Sequence, residues 1–260
     1  MTILDVIIAN TKKELAAIKK LTSVKDLENT LFFNRNTNSL SKNLLDNSRT
    51  GIIAEFKRKS PSKGIINIES SVAEVTSGYF SEGASGVSIL TDNKYFGGSA
   101  NDLQLARENK LMPILRKDFI IDEYQVIEAK AYGADAILLI AAAHKYKEIL
   151  NLSQLAHSLG LEVLFEVHKP KELDLVNQYV NIIGVNNRNL KTFDVSTDTS
   201  FEIVEKIPSG FVKISESGLS SPLVIKRLKE AGYNGFLIGE RFMCSPDPVK
   251  AFSVFVKEII

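Results

Sequence analysis

The chain has 260 residues, of which 44% are hydrophobic and 24% are charged, a composition typical of a globular protein with a full-sized core. Its length suits two ordinary domains or one α/β barrel, and its formal net charge of +1, with basic and acidic residues interleaved, argues against a nucleic-acid-binding surface. The single cysteine, Cys244, excludes an internal disulfide, and the three histidines lack the spacing of a metal motif.

The chain begins with a short apolar run followed by an amphipathic, lysine-rich helical pattern. Residues 1–20 read MTILDVIIANTKKELAAIKK. This segment lacks the charged start, long apolar core and cleavage site of a signal peptide, and no run in the chain approaches the ~20 apolar residues of a membrane span. We therefore expect a cytoplasmic protein without membrane association, in which residues 1–48 form a helical extension.

From residue 51 onward, short apolar runs rich in β-branched residues alternate with amphipathic helical patterns. The eight runs are Gly51–Phe56, Gly86–Leu90, Met112–Leu115, Ala136–Ile140, Glu162–Glu166, Ile182–Val185, Phe211–Ile214 and Gly235–Ile238. Clear helical patterns lie between them at Val72–Glu82, Glu123–Ala131, Lys147–Ser158 and Pro222–Ala231. Such alternation indicates βα units and a parallel sheet.

Eight strands favour closure of that sheet over an open, doubly wound arrangement. No GxGxxG motif opens the first helix, which weakens a dinucleotide-binding alternative further. No linker or low-complexity tract interrupts the pattern. We therefore predict an α/β protein with one domain over residues 1–260, a (β/α)8 TIM barrel with residues 1–48 as its N-terminal helical extension.

Polar residues collect where the predicted strands end. Glu55 and Lys57 stand two residues apart at the end of the first run, so their side chains point the same way. Other strands end in Arg116-Lys117-Asp118, Glu166, Asn186-Asn187-Arg188 and Ser215-Glu216-Ser217-Gly218. Any one of these groups could be a structural ion pair or a cap. Together they predict a site, because the C-terminal ends of barrel strands converge on one mouth.

The loops after the seventh and eighth runs indicate a phosphate site. They read Ser217-Gly218-Leu219-Ser220 and Gly239-Glu240-Arg241. Small residues let backbone N–H groups approach an anion closely, and barrels of this class often bind phosphate with these two loops. Either turn alone could simply cap a strand. Lys57 and Ser60 could add a charge and a hydrogen-bond donor.

Several motifs, in order along the chain, resemble the indole-3-glycerol-phosphate synthase family. They are IIAEFKRKSPSKG, ILTDNKYFGGS, PILRKDFIIDEYQVIEAKAYGADAILLI, FEVH, IIGVNNRNLKTFDV, ISESGL and LIGERFMCSPDP. The resemblance implies a (β/α)8 barrel whose N-terminal extension covers the mouth. It also implies conversion of 1-(2-carboxyphenylamino)-1-deoxyribulose 5-phosphate to indole-3-glycerol phosphate, with release of carbon dioxide and water. The implied ligand is a small phosphorylated aromatic molecule, with no cofactor, metal, nucleic acid or membrane, and a monomer is compatible with this reading.

The resemblance further implies roles for individual residues. Lys117 would be the general acid for ring closure, and Glu166 its partner in proton transfer and dehydration. Lys57 would hold the substrate and help a later proton transfer, while Glu55 would orient the lysines. The other catalytic residues would be Asn186, Glu216 and Ser217. Arg188 would pair with the substrate carboxylate, and the benzene ring would lie among Phe96, Phe119 and Leu190. The phosphate would be held by Lys57, Ser60, Ser217, Gly218, Gly239 and the backbone N–H of Glu240.

Two other functions remain as alternatives. A barrel like phosphoribosylanthranilate isomerase would use a cysteine base early in the barrel, whereas Cys244 follows the last strand. A non-catalytic phosphate-binding barrel would tolerate the loss of Lys117 or Glu166, yet both are present. One departure from the family is the absence of tryptophan, which some members carry in the N-terminal helix. Val6 or Ile7 would take its place.

Overall fold

In a computed structural model, which describes residues 2–259, eight parallel strands close into a barrel. The strands are β1 (Ile52–Phe56), β2 (Gly86–Leu90), β3 (Ile114–Lys117), β4 (Ala136–Ile140), β5 (Glu162–Val167), β6 (Ile182–Asn186), β7 (Val212–Glu216) and β8 (Gly235–Ile238). Each strand pairs with its neighbours in the chain, and β8 closes the ring on β1. The (β/α)8 class predicted from the alternating pattern is confirmed.

Helices surround this barrel and connect its strands. They are α1 (Ile3–Leu21), α2 (Val24–Glu28), α3 (Leu40–Leu45), α4 (Val72–Ser81), α5 (Asn93–Phe96), α6 (Ala100–Ala106), α7 (Glu123–Ala131), α8 (Tyr146–Ser158), α9 (Asp198–Ile203), α10 (Pro222–Glu230), α11 (Glu240–Met243) and α12 (Pro248–Ile259). Short 3₁₀ segments occupy Ala141–Ala143, Pro170–Leu175 and Val204–Lys206, and Lys59–Ser60 pairs with Gly64–Ile65 in a small hairpin after β1. No helix within residues 2–259 is long and apolar enough to cross a membrane.

The strands separate two apolar layers because successive side chains alternate faces. Outward-facing residues such as Ile52 and Ala54 pack against the helices, in one large cluster. Inward-facing residues fill the barrel itself: Ile53, Leu115, Ala136, Leu138, Ile140, Leu164, Ile182, Val212, Ile214 and Leu237. The barrel is therefore a packed core below its mouth, by which we mean the C-terminal ends of the strands.

Two strands extend two residues beyond their predicted ends, whereas β1, β5 and β6 each differ from the predicted range by a single residue. The third strand was expected at Met112–Leu115 but extends over Ile114–Lys117, and the seventh was expected at Phe211–Ile214 but extends over Val212–Glu216. In both cases the strand continues into charged residues, which an apolar pattern does not include. Their charges are accommodated because these strand ends reach the mouth, where polar groups pair with one another.

The N-terminal segment contacts both ends of the barrel. Helix α1 lies over the mouth, where Lys19 pairs with Asp122 after β3 at 2.8 Å and Lys94 after β2 donates to Asn10 at 2.8 Å. Helix α3 lies at the opposite end, where Leu40 and Leu44 join the apolar cluster inside the barrel. Residues 1–48 were expected to cover the mouth. Helix α1 lies there, whereas α3 lies at the opposite end of the barrel. The terminal residues 1 and 260 of the expected domain lie outside the described range.

A buried ion cluster ties the segment between α2 and α3 to the barrel. Asp135, which precedes β4, pairs with Arg35 at 2.8 Å and with the buried Arg107. The backbone N–H of Asn38 donates to the same carboxylate at 2.7 Å. Because each charge is paired and hydrogen-bonded, burial is tolerated, and removal of one partner would leave an uncompensated charge.

Candidate active site

A cavity of about 710 Å³ opens at the mouth of the barrel. Every residue that the sequence predicted as a site residue lies on its wall. These residues are Glu55, Lys57, Ser60, Phe96, Lys117, Phe119, Glu166, Asn186, Arg188, Leu190, Glu216, Ser217, Gly218, Gly239 and Glu240. Helix α1 adds Ile3, Leu4 and Ile7 to the wall, whereas Val6 is 41% exposed. The barrel therefore brings residues from distant parts of the chain within reach of one small molecule.

Four ionisable side chains at the floor of this cavity come from alternate strands. We call them the site layer: Glu55 of β1, Lys117 of β3, Glu166 of β5 and Glu216 of β7. Each follows an inward-facing apolar residue by two positions, namely Ile53, Leu115, Leu164 and Ile214. Barrel interiors are built in layers of four side chains from alternate strands, so strand alternation alone places these four groups at one height.

Lys117 is the centre of the site layer. Its Nζ lies 3.1 Å from Oε2 of Glu166 and also contacts Oε2 of Glu216. Both carboxylates are buried, with Glu166 3% exposed and Glu216 1% exposed. The ammonium group is thus held between two acids at the bottom of the cavity, with little access to bulk water.

Glu55 and Lys57 form a second ion pair at the edge of the layer. Nζ of Lys57 lies 2.8 Å from Oε1 of Glu55, and the Ser88 hydroxyl donates to the other carboxylate oxygen at 3.4 Å. Gly239 makes room for this carboxylate, because a Cβ there would lie 2.7 Å from Oε1 of Glu55. The expectation that both side chains point toward the mouth agrees with this geometry.

Small residues surround the end of the cavity near β7 and β8. Ser217 and Gly218 both adopt left-handed backbone conformations, with φ angles of 69° and 71°. A Cβ on Gly218 would overlap the side chain of Val195, so only glycine fits. Lys63, which the sequence did not single out, pairs with Glu240 at 2.7 Å. The predicted phosphate loops therefore line the same cavity, and Lys63 of the hairpin after β1 contacts one of them.

Part of the cavity wall is apolar. The rings of Phe96 and Phe119 lie 6.1 Å apart, and Leu190 lines the same cavity. Arg188 also lines it, and its guanidinium donates to the carbonyl of Phe193 at 3.3 Å. No carboxylate of the described residues lies within 4.0 Å of the Arg188 guanidinium, so no ion pair neutralises its charge.

A comparison with known protein families agrees with this architecture. The family model described as indole-3-glycerol phosphate synthase matches residues 4–255. The chain belongs to this family. The resemblance seen in the motifs is thereby confirmed, and with it the class of carboxy-lyases of tryptophan biosynthesis.

Individual indole-3-glycerol phosphate synthases are similar over almost their whole length. The protein of Bacteroides thetaiotaomicron is 48% identical over 257 residues, which cover 99% of this chain and 98% of the relative. That of Laribacter hongkongensis is 43% identical over 256 residues, covering 96% and 97% of the two chains. That of Polaromonas sp. is 41% identical over 250 residues, covering 95% of each.

Within the synthase cavity, the two acids beside Lys117 have opposite electrostatic environments. Burial acts to raise the pKa of Glu166, but Lys117, His168 and the Asn186 amide together lower it below its ordinary value. Glu166 is therefore a carboxylate at neutral pH. An acid that stays ionised in a buried site can accept a proton from a substrate.

Glu216 behaves differently. Burial, supported by the negative charges of Glu166 and Glu55, raises the pKa of Glu216 to about 7, although Lys117 opposes the change. Burial also acts to lower the pKa of Lys117, but the three carboxylates outweigh it and raise this pKa. Pairs of groups whose pKa values are pushed apart are typical of acid and base partners.

Sequence reasoning missed two residues that shape this arrangement. His168 follows β5 and places its Nε2 3.4 Å from Oε1 of Glu166. Gly184 of β6 faces Glu216, and a Cβ there would overlap Oε1 of that residue. His168 stands two positions after Glu166, so strand alternation could have drawn attention to it. For Gly184 no local signal exists, because its neighbour lies on another strand.

Proposed function

We propose that this cavity converts 1-(2-carboxyphenylamino)-1-deoxyribulose 5-phosphate to indole-3-glycerol phosphate, with loss of carbon dioxide and water. One observation carries the proposal: a buried lysine lies between two carboxyl groups whose pKa values are shifted in opposite directions. The wall of the cavity carries cationic groups, apolar side chains and these proton-transfer groups. Those three parts match the phosphate, the aromatic ring and the ketone of the substrate.

Ring closure is assigned to Lys117. The aromatic carbon that bears the carboxylate attacks the ketone carbon, and the Lys117 ammonium gives a proton to the ketone oxygen as negative charge develops there. Glu166 and Glu216 hold the ammonium in place and keep it charged before the reaction. A fixed cation in a site shielded from water stabilises such a charge more strongly than water does.

Decarboxylation then restores the aromatic ring. The carbon–carboxylate bond breaks, carbon dioxide leaves, and its electron pair returns to the ring, so this step needs no proton donor. Arg188 pairs with the carboxylate before it leaves, since a guanidinium matches a carboxylate bidentately. Because Arg188 is half-buried and partly engaged by the Phe193 carbonyl, it orients this group without enclosing it.

Dehydration requires one proton to be given and another to be removed. The hydroxyl on the former ketone carbon departs as water after protonation, and the adjacent CH2 beside the nitrogen loses a proton to complete the indole. We assign proton removal to Glu166, which is ionised, and protonation of the hydroxyl to Lys57, which Glu55 positions. Asn186, whose amide contacts Glu166, would hydrogen-bond the departing hydroxyl, and Ser217 would complete the polar wall.

The loops after β7 and β8 and the apolar part of the wall would orient the substrate for these steps. Ser60, Ser217, Gly218, Gly239 and the backbone N–H of Glu240 would bind the phosphate. Phe96, Phe119 and Leu190 would enclose the benzene ring, and Ile7 of the 1–48 extension would cover it. Every proton transfer is thus assigned to a side chain on the wall, and the chemistry needs no cofactor.

A fluorescence assay tests the proposal. Purified protein, supplied with the carboxyphenylamino substrate in buffer containing a chelator, should produce indole fluorescence. The Lys117→Met variant should lower kcat by about 10²- to 10⁴-fold, the range of a general acid. Lys147→Met is the matched control, because Lys147 is exposed on α8. A parent protein without turnover would refute the function, and a Lys117→Met variant with parental kcat would refute the acid assignment alone.

A further inference from the structure

His168 is a buried side chain that the proposed reaction does not use. It directly follows β5, and its side chain is 9% exposed. Neither ring nitrogen has a hydrogen-bond partner among residues 2–259. A buried polar ring without hydrogen bonds costs stability, so its retention needs a reason.

Two carboxylates flank the ring and supply that reason. Nε2 lies 3.4 Å from Oε1 of Glu166, and Nδ1 lies 3.8 Å from Oε2 of Glu172. These contacts are too long or too poorly aligned for hydrogen bonds, but opposite charges at such distances interact strongly in a buried site. The arrangement therefore suits an imidazolium cation between two anions.

We propose that His168 is a positioning residue for the reaction, whose imidazolium holds Oε1 of Glu166 so that Oε2 stays beside Lys117 and the reacting atoms. The inference rests on the proposed role of Glu166 in proton transfer. The two oxygens of Glu166 are divided between the two cations, since Oε1 faces His168 and Oε2 faces Lys117. Rotation of the carboxyl group would break both contacts.

Glu172 fixes the ring from the outer side. This residue lies in the 3₁₀ segment Pro170–Leu175, which folds back over the end of β5. Its Oε2 accepts a hydrogen bond from the backbone N–H of His168 at 2.6 Å, which brings the carboxylate beside the ring. A short helix that follows a strand end thus supports the active-site acid through the histidine.

The charged groups around the ring favour its protonated form. Glu166 faces it from β5, Glu172 from the 3₁₀ segment and Glu216 from β7, with Lys117 of β3 beyond Glu166. Burial acts to lower the pKa of His168, but the three carboxylates outweigh it and raise the pKa above 6.5. The same cation helps to lower the pKa of Glu166. Without it, burial would make Glu166 easier to protonate.

Titration of Glu166 in a His168→Gln variant tests the inference directly. Glutamate labelled with ¹³C at the carboxyl carbon allows the pKa of Glu166 to be followed by NMR in the intact protein, with Glu166→Gln to assign the signal. Loss of a neighbouring positive charge should raise this pKa by about 1 to 3 units. The acidic limb of the kcat/KM profile should move to higher pH by the same amount, with KM on its plateau changed by less than about threefold, since His168 touches no substrate.

Two further variants separate a positioning role from a purely structural one. Glu172→Gln should lower the pKa of His168, measured from its ring ¹³C–¹H signal, and should raise that of Glu166 by a smaller amount. His157→Gln is the control, because His157 is exposed on α8 and should leave Glu166 unchanged. If His168→Gln does not fold, Glu172→Gln still reports whether the charge is transmitted.

An unchanged pKa of Glu166 in folded His168→Gln, or in folded Glu172→Gln if the former does not fold, would overturn the inference. So would a loss of activity that is equal at all pH values with an unshifted acidic limb. Failure of the proposed function is visible separately, because a Glu166→Gln variant with parental kcat would remove the catalytic role of Glu166 while the NMR coupling to His168 remained.

Discussion

One methyl group added at Gly184 should disturb the active site more than the fold. Gly184 lies in β6, beside Glu166 on one side and Ile214 on the other. Its backbone is an ordinary strand, which alanine adopts without strain. The new Cβ would overlap Oε1 of Glu216 and would lie 3.3 Å from the carboxyl carbon of that residue and 3.1 Å from Leu164. The end of the Glu216 side chain must therefore move.

The expected size of the effect follows from these distances. Relief of the overlap requires a shift of about 1 Å, and a misplacement of that size in an active site costs about 10²-fold in rate. We therefore expect Gly184→Ala to lower kcat by about 10²-fold, equivalent to about 2.7 kcal/mol of activation free energy. The free energy of unfolding should fall by about 1 to 3 kcal/mol, as for other overpacked sites.

Indole fluorescence gives kcat, and urea unfolding gives stability. Gly78→Ala on α4 is the matched control, since its Cβ would lie 2.5 Å from Val249, far from the mouth, and should lower stability without lowering kcat. In a Glu216→Ala background, Gly184→Ala should cause little further loss, because both changes act through one side chain. If the losses in kcat of the two single variants multiply in the double variant, the two changes act independently and the reasoning is refuted.

Three other perturbations separate stability from chemistry. Asp135→Asn leaves Arg35 and Arg107 without their anion. The free energy of unfolding should fall by about 3 to 5 kcal/mol, while kcat of the folded protein stays unchanged. A loss of stability below about 1 kcal/mol would contradict this expectation. Leu40→Ala at the base of the barrel should lower the free energy of unfolding, measured with urea, by about 2 to 5 kcal/mol without lowering kcat. A lower kcat would show that this end of the barrel is coupled to the mouth. Glu216→Gln should be as stable as the parent below pH 4.5 and increasingly more stable as the pH rises toward 7. In this range Glu216 of the parent loses its proton in the unfolded state but keeps it in the folded state, which favours unfolding of the parent. A pH-independent difference in stability would argue against the raised pKa.

The charged site layer was accessible from the sequence because it follows strand alternation. Glu55 was recognised as an inward-facing charge from its spacing to Lys57, and Glu166 from the end of its apolar run. Lys117 and Glu216 were found although the predicted apolar runs ended before them, because both belong to the polar groups that directly follow those runs. Alternation depends on the local chain alone, so it can be read without knowledge of the packing.

The features that were missed depend on contacts between distant parts of the chain. Gly184 matters only because Glu216 of the next strand needs its space, and Leu40 occupies the base of the barrel only because β2 and β8 begin with glycines that admit α3. The apolar pattern near Leu40 does not indicate which end of the barrel this helix covers. His168 differs, since its spacing from Glu166 was visible but its burial between two acids was not.

Buried apolar side chains hold the N-terminal extension at both ends of the barrel. Leu40 of α3 is completely buried, and the Asp135 cluster fastens the preceding loop. At the mouth, the α1 ion pair of Lys19 with Asp122 joins two exposed side chains, and such pairs contribute at most about 1 kcal/mol. The first turns of α1 line the cavity through Ile3, Leu4 and Ile7, of which Leu4 is 6% exposed and Ile7 3% exposed. Burial of one such apolar side chain contributes about 1.5 to 3 kcal/mol, which exceeds the contribution of the ion pair. Apolar burial therefore holds α1 at the mouth, as it holds α3 at the base of the barrel.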